Sequence, residues 1–99
     1  MNFTNNVQLL EMSKKQFKTK RGQWQVMLHD DDINTFDHVI SCLVEICGHN
    51  YYQAVQCATI VHNNGICSIF VDSYDECESV YEELYQNGLS VTIIKFKKT

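Results

Sequence analysis

The sequence predicts a single domain of the α+β class, in which three helices pack on one face of a small three-stranded antiparallel sheet. Its 99 residues suffice for one modest hydrophobic core and not for two. Three segments have the alternation or the apolar run of a strand, and three others have apolar residues at helical spacing behind a capping residue. In chain order these elements give the pattern β-α-α-β-α-β.

The first strand and the first helix flank a run of three aspartates, residues 30–32. Trp24, Val26 and Leu28 alternate with other residues, which predicts a strand with one apolar face. Asn34 is the predicted N-cap of the helix that follows the aspartates, with Asp37 at the third position. The inward-facing positions of this helix, up to Gly48 at its end, are Phe36, Val39, Ile40, Leu43, Ile46 and Cys47.

The second helix has Asn50 as its predicted N-cap, with Gln53 at the third position. Residues 63–65, Asn-Asn-Gly, stop this helix, and a short continuous apolar strand follows at residues 66–71. The inward-facing positions of the helix are Ala54, Cys57, Ala58 and Val61.

The third helix is predicted from a capping box made by Ser73 and Glu76. Apolar residues continue at helical spacing through Leu84, and Gly88 ends the helix. Residues 89–96 form the last predicted strand.

Residues 1–22 are polar, carry a basic run and lack an apolar period, so we expect a mobile leader there and a folded domain at residues 23–99. The leader has room for a short helix at residues 7–12.

Acidic and basic residues are segregated along the chain. The formal net charge is −4, but residues 22–94 contain no Lys or Arg and 11 of the 12 Asp and Glu residues, so that this segment carries −11. Such a surface repels phosphate, which disfavours nucleic acid as a partner and favours a cationic or neutral one. The alternative interpretation is that the acids only keep a small domain soluble, and it is favoured for four acids on a helix face, Glu76, Glu78, Glu82 and Glu83.

The five cysteines lack the paired spacing of zinc sites and redox enzymes. They predict reduced thiols in the core of a cytoplasmic protein. No stretch has the composition of a signal peptide or the length of a membrane-spanning helix, so a membrane is not among the expected partners.

The three adjacent carboxylates repel one another by about 1 to 4 kcal/mol per pair at 4 Å, which favours a positively charged partner. A solvated turn before a helix N-terminus is the alternative interpretation. A calcium-binding loop is not predicted, because Thr35 and Ser41 stand where such a loop requires Gly and Glu.

Catalytic and transition-metal sites are also not predicted. His29, His38 and His62 lack the spacing of helix-borne metal ligands, and Cys57 and His62 lie on different faces of a helix. The chain has neither a nucleophile elbow nor a glycine-rich phosphate loop. We therefore expect no enzyme activity, no metal and no cofactor.

The segments at residues 30–32 and 61–65, in this order after a strand and at a helix end, resemble the ClpS family of adaptors for Clp proteases. Members of that family have an Asn-Asp-Asp turn after the first strand and a Val-His-x-x-Gly end to the second helix. The resemblance covers residues 24 to about 94. It implies an adaptor that binds proteins with Phe, Tyr, Trp or Leu as the first residue and delivers them to a ClpA or ClpC type unfoldase coupled to ClpP.

The resemblance also implies two sets of site residues. The first set, which binds the free α-amino group, is Asp30, Asp31, Asp32 and His62. The second set, which lines an apolar pocket for the first side chain, is Asn34, Phe36, Val39, Ala58, Val61 and Leu89. The resemblance also implies that the leader contacts the unfoldase while the bound protein is transferred to it.

Four positions differ from the family pattern. Asp30 stands where Asn is usual, Phe36 replaces a Met at the pocket gate, and Ala58 replaces a larger apolar residue. Glu78 stands where studied members have a Lys that contacts the unfoldase. Because Phe36 narrows the pocket and Ala58 deepens it, we expect aromatic first residues to bind better than Leu.

Two other functions stay open at this point. One is a protein-interaction module of the same fold without recognition of N-termini, with a topology similar to that of the C-terminal domain of the bacterial ribosomal stalk protein. The other is a small metal-binding protein. Only the adaptor requires a free α-amino group on its ligand.

Overall fold

The computed structural model describes residues 20–97. Within that range the elements are β1 (Trp24–His29), α1 (Phe36–Glu45), α2 (Tyr51–Asn64), β2 (Ile66–Asp72), α3 (Tyr74–Gln86) and β3 (Val91–Lys95). The predicted α+β class and β-α-α-β-α-β order are therefore confirmed. The leader up to residue 19 and the short helix predicted at residues 7–12 lie outside the described residues.

The sheet is antiparallel, with β1 between β2 and β3. Trp24, at the start of β1, pairs with Asp72 of β2 and Lys95 of β3. His29, at its end, pairs with Ile66 of β2. The chain that follows His29 consequently leaves the sheet beside the beginnings of both β2 and β3, which brings three separate segments together at one end of the sheet.

The core lies between the sheet and the three helices. Val26 and Leu28 of β1 face it, and α2 and α3 pack on the sheet while α1 packs mainly on α2. The buried apolar side chains of the described residues are Val26, Leu28, Ile40, Cys42, Leu43, Ala54, Cys57, Ala58, Val61, Ile69, Cys77, Val80, Leu84, Leu89 and Val91.

Two of the three predicted N-caps are confirmed. The Asn50 side chain accepts a hydrogen bond from the backbone N–H of Gln53 at 2.8 Å and begins α2. Ser73 Oγ accepts one from the backbone N–H of Glu76 at 3.3 Å and begins α3.

The predicted cap of α1 is wrong by one residue. Thr35 is the N-cap, and its Oγ1 accepts from the backbone N–H of His38 at 3.1 Å. Asn34 does not cap α1 because its side-chain amide donates to the Asp31 carboxylate at 2.8 Å and to the carbonyl of Gly88 at 2.9 Å. A contact with a residue far along the chain thus prevents Asn34 from acting as the N-cap that local preference favours.

Strand β2 covers the predicted residues and one more, whereas β3 is shorter than predicted. In β2, Ile69 is buried, but Ile66 and Val71 are exposed, so the continuous apolar run is buried on one face only. Strand β3 begins at Val91, since Leu89 and Ser90 belong to the connection after α3.

All five cysteines are free thiols, as predicted. Burial raises the pKa of Cys47 to about 12 and that of Cys67 to about 11, which keeps both thiols protonated near neutral pH. Within residues 20–97, no helix combines the length and the apolar character that crossing a bilayer requires.

Candidate functional site

One cavity of about 480 Å³ is lined by all ten residues that the resemblance implies, together with Leu28 and His29. We call it the acidic cavity. Its walls come from the turn after β1, the first turn of α1, the last turns of α2 and the connection between α3 and β3. The sequence segments that line it are therefore distant along the chain and adjacent in the fold.

The turn after β1 is organised by Asp31. Its Oδ1 accepts from the backbone N–H groups of Ile33 at 3.0 Å and Asn34 at 2.9 Å. Its Oδ2 accepts from the Asn34 side-chain amide at 2.8 Å and from Ser90 Oγ at 2.9 Å. These hydrogen bonds, above all the one from the backbone N–H of Asn34, lower the pKa of Asp31 to about 2. Burial acts in the opposite direction and raises the pKa. Asp31 is thus ionised, and both of its oxygens are used within the protein.

Two hydrogen bonds to backbone carbonyls hold this turn against α2 and against the connection after α3. The N–H of Asp30 donates to the carbonyl of Gly65 at 3.0 Å, directly after α2. The Asn34 side-chain amide donates to the carbonyl of Gly88 at 2.9 Å, just after the C-cap of α3. The turn is therefore fixed at both ends.

Asp30 and Asp32 differ from Asp31 because their side chains are exposed. Within residues 20–97, neither carboxylate accepts a hydrogen bond. Both line the acidic cavity and keep their oxygens available for a ligand.

His62 lies in the last turn of α2 and lines the same cavity. The helix ends at Gly65, whose φ of 89° is left-handed and whose N–H donates to the carbonyl of Val61 at 2.7 Å. This C-cap places the imidazole of His62 at the cavity and also orients the Gly65 carbonyl that binds Asp30. His62 itself is exposed.

Most of the other residues that line the cavity are apolar. Ala58, Val61 and Leu89 are buried, with exposures of 4%, 5% and 3%. Val39 is half-buried, whereas Phe36 at the start of α1 remains 44% exposed. The lining of the cavity therefore combines carboxylates and an imidazole with aliphatic and aromatic groups.

Sequence reasoning missed several residues that build the site. Ser90 donates to Asp31 across 59 positions of the chain, and no local motif indicates that contact. His38 Nε2 donates to the carbonyl of Asn87 at 2.8 Å, which joins α1 to the end of α3. His29 lines the cavity and contacts Thr92 Oγ1 at 2.8 Å. Its position directly before the three aspartates is the sequence feature that could have indicated a place in the site.

The described residues contain no group of three or more His, Cys, Asp or Glu side chains that could hold a metal ion.

The family comparison covers all the residues that line the cavity. The sequence profile described as "ATP-dependent Clp protease adaptor protein ClpS" matches residues 19–92. The chain belongs to the ClpS family. ClpS proteins are adaptors of the ATP-dependent Clp protease.

Individual ClpS proteins show the same relationship. The ClpS adapter of Prochlorococcus marinus strain MIT 9515 is 29% identical over 92 residues, which cover 92% of this chain and 88% of that protein. The ClpS adapter of Myxococcus xanthus strain DK1622 is 32% identical over 71 residues, which cover 72% of this chain and 66% of that protein.

A solved ClpS structure has the same fold. ClpS2 of Agrobacterium tumefaciens, bound to L-phenylalaninamide, aligns with a TM-score of 0.72 and 20% sequence identity. The alignment covers 75% of this chain and 96% of ClpS2.

Proposed function

We propose that this ClpS family member recognises N-degrons. It binds the free α-amino group and the bulky hydrophobic first residue of a protein, and it delivers that protein to a Clp unfoldase without changing it covalently. The observation that supports this most directly is the meeting of two unengaged carboxylates, Asp30 and Asp32, with His62 at a cavity that six apolar side chains also line.

The polar side of the cavity suits an ammonium ion. A protein α-amino group has a pKa of about 7.7 to 8.0, so near pH 7 it is mostly an ammonium with three N–H donors. Asp30, Asp32 and the imidazole of His62 supply three acceptors, His62 in its neutral form. Asp31 contributes by holding the turn, since its own oxygens already accept four hydrogen bonds.

The apolar lining of the cavity distinguishes proteins by the side chain of their first residue. Every unblocked N-terminus has the same ammonium, whereas burying a large apolar side chain contributes roughly 1.5 to 3 kcal/mol. Phe36, which is 44% exposed, and Ala58, which is 4% exposed, both line the cavity. The preferred ligands are Phe, Tyr and Trp, followed by Leu.

Delivery requires a second partner. We propose a ClpA or ClpC type unfoldase coupled to ClpP, engaged by residues 1–22 during hand-over. The cytoplasm is the proposed compartment, because five free thiols persist there in the reduced form.

A fluorescence-anisotropy titration tests the recognition step. A labelled peptide that begins with Phe is expected to bind, and the same peptide with an acetylated α-amino group is expected not to, because acetylation removes the charge and two donors. Asp32→Ala and His62→Ala should each weaken binding by about 1.5 to 3 kcal/mol, the range for hydrogen bonds that involve a charged group.

Asp75→Ala is the matched control for Asp32→Ala, because Asp75 is an exposed acid in the first turn of α3 and does not line the acidic cavity. Circular dichroism of each variant verifies the fold. Equal affinity for the free and the acetylated peptide would contradict the proposal and favour an interaction module without recognition of N-termini.

A further inference from the structure

Two further cavities continue from the acidic cavity along β3. The first, of about 630 Å³, is lined by Tyr85 and shares His29 and Leu89 with the acidic cavity. We call it the Tyr85 cavity. The second, a groove of about 410 Å³ between α3 and β3, shares Thr92 with the Tyr85 cavity. Because these shared residues succeed one another along the chain, the three cavities form one track in the direction of β3.

The free edge of β3 borders this track. Strand β3 lies at the edge of the sheet and pairs only with β1 in the described part of the chain. The His29 N–H donates to the Ser90 carbonyl at 2.8 Å, and the Phe96 N–H donates to the Gln23 carbonyl at 3.0 Å. In an antiparallel pair these directions alternate, so the backbone groups of Val91 and Ile93 point away from β1. They are positioned to pair with an added strand.

The walls of the track are aromatic and acidic. Tyr85 is 63% exposed, and its ring stacks on that of Tyr81 with centroids 6.0 Å apart. Glu78 and Glu82 lie one helical turn apart and line the groove next to Ile93. Among residues 20–97, no Lys or Arg lines either cavity, and the Lys20 ammonium lies 3.9 Å from the ring of Tyr74 at the far end of the groove. An aromatic face beside carboxylates favours a basic side chain, through cation–π contact and charge attraction.

We infer that residues two to five of the bound polypeptide lie along β3 as an added parallel strand, with a preference for Lys or Arg at positions three to five. This inference rests on the proposed function, which places residue one in the acidic cavity. A chain that starts there and follows the track runs in the same direction as β3. An extended chain advances about 3.3 Å per residue, so the positions beside Glu82 and Glu78 come within five residues of the N-terminus.

Peptide length and charge test the inference first. A six-residue peptide Phe-Ala-Lys-Lys-Lys-Ala should bind about threefold to tenfold tighter than phenylalaninamide or the analogue with Glu at positions three to five. The double variant Glu78→Gln/Glu82→Gln should remove most of the difference between the Lys and Glu peptides. Glu83→Gln is the matched control, because Glu83 lies on α3 and lines neither cavity. It should leave that difference intact.

Backbone methylation tests the added strand separately from charge. Single N-methyl groups placed in turn at positions two to five of an all-Ala tail remove one N–H donor each. In a strand every second N–H faces its partner, so affinity should alternate along the series, with losses at every second position. A purely electrostatic attraction gives no such alternation.

Two results would overturn the inference. One is equal affinity of phenylalaninamide and the Lys-containing hexapeptide. The other is a combination of two findings: affinity does not alternate along the methylation series, and the Lys peptide still binds tighter than the Glu peptide in the variant Glu78→Gln/Glu82→Gln. In both cases binding that still requires Phe and a free α-amino group would show that the proposed function stands and the track does not.

Discussion

At the scale of single residues, three neighbouring aspartates have two different roles. The Asp31 carboxylate accepts four hydrogen bonds from Ile33, Asn34 and Ser90, so it builds the turn. The carboxylates of Asp30 and Asp32 are exposed and line the acidic cavity. One charged residue thus holds the backbone that presents the other two.

Asp31→Asn tests this structural role through acid stability. Folding lowers the pKa of Asp31 from 3.8 to about 2, so its carboxylate stabilises the fold above about pH 4, and that contribution is lost as pH falls to about 2. Urea unfolding between pH 5 and pH 2 should therefore show a steeper loss of stability in the wild type than in Asp31→Asn. Parallel curves for the two proteins would contradict the assignment.

Ala58→Met tests the depth of the pocket. Ala58 is 4% exposed and lines the acidic cavity, so a Met at this position is expected to fill part of the space that an aromatic ring would occupy. The preference for Phe over Leu as the first residue should decrease, as measured by titration with two peptides that differ only there. A preference that does not change would show that residue 58 does not contact the first side chain.

At the scale of elements, the end of α2 links two parts of the site. Gly65 ends the helix in the left-handed conformation, with His62 one turn earlier. Its carbonyl accepts the hydrogen bond from Asp30 that fixes the aspartate turn. The orientation of both polar groups thus depends on how this one helix terminates.

Gly65→Ala should reduce both stability and peptide affinity. The cost comes from the left-handed backbone, about 1 kcal/mol, because a Cβ at Gly65 would meet no atom within 4 Å. Gly22→Ala is the matched control: Gly22 has a similar φ of 79° and open space, and it lies before the start of β1, whereas the cavity lies at the end of that strand. Urea unfolding should show a loss in both variants, whereas peptide titration should show a loss in Gly65→Ala only.

At the scale of the whole molecule, opposite charges occupy opposite ends of β1. Near its start, the Lys20 ammonium lies 3.9 Å from the centre of the Tyr74 ring, and the Lys95 ammonium lies 5.9 Å from that of Trp24. The aspartates follow its end. This separation gives the acidic cavity a negative field that attracts an ammonium ion.

The affinity for peptides should therefore fall as pH rises from 7.5 to 9.5. The α-amino group of the peptide loses its proton above about pH 8, and Asp30 and Asp32 then lose their cationic partner. Anisotropy titrations across this range measure the effect, and Asp32→Asn should weaken binding at pH 7.5 and flatten the pH dependence. Affinity that stays constant up to pH 9.5 would argue for purely hydrophobic binding.

Local interactions explain why much of the fold was predictable. Asn50 and Ser73 cap their helices through contacts three residues away, and the alternation in β1 follows from the pleat of a strand. The cap of α1 was mispredicted because Gly88, 54 positions away, engages Asn34. The candidate site residues came from a family resemblance, and their roles in binding stay predictions.

The sequence by itself determined the six elements, their order and the family, since caps, periodicity and short motifs act over a few residues. Only the tertiary structure decided which aspartate builds the turn and which two remain available. That distinction depends on Ser90 and Gly88 reaching the turn from the end of α3. It also depends on Gly65 reaching it from α2. These contacts exist because the helices pack on one face of the sheet, and no local pattern encodes a hydrogen bond between residues so far apart in the chain.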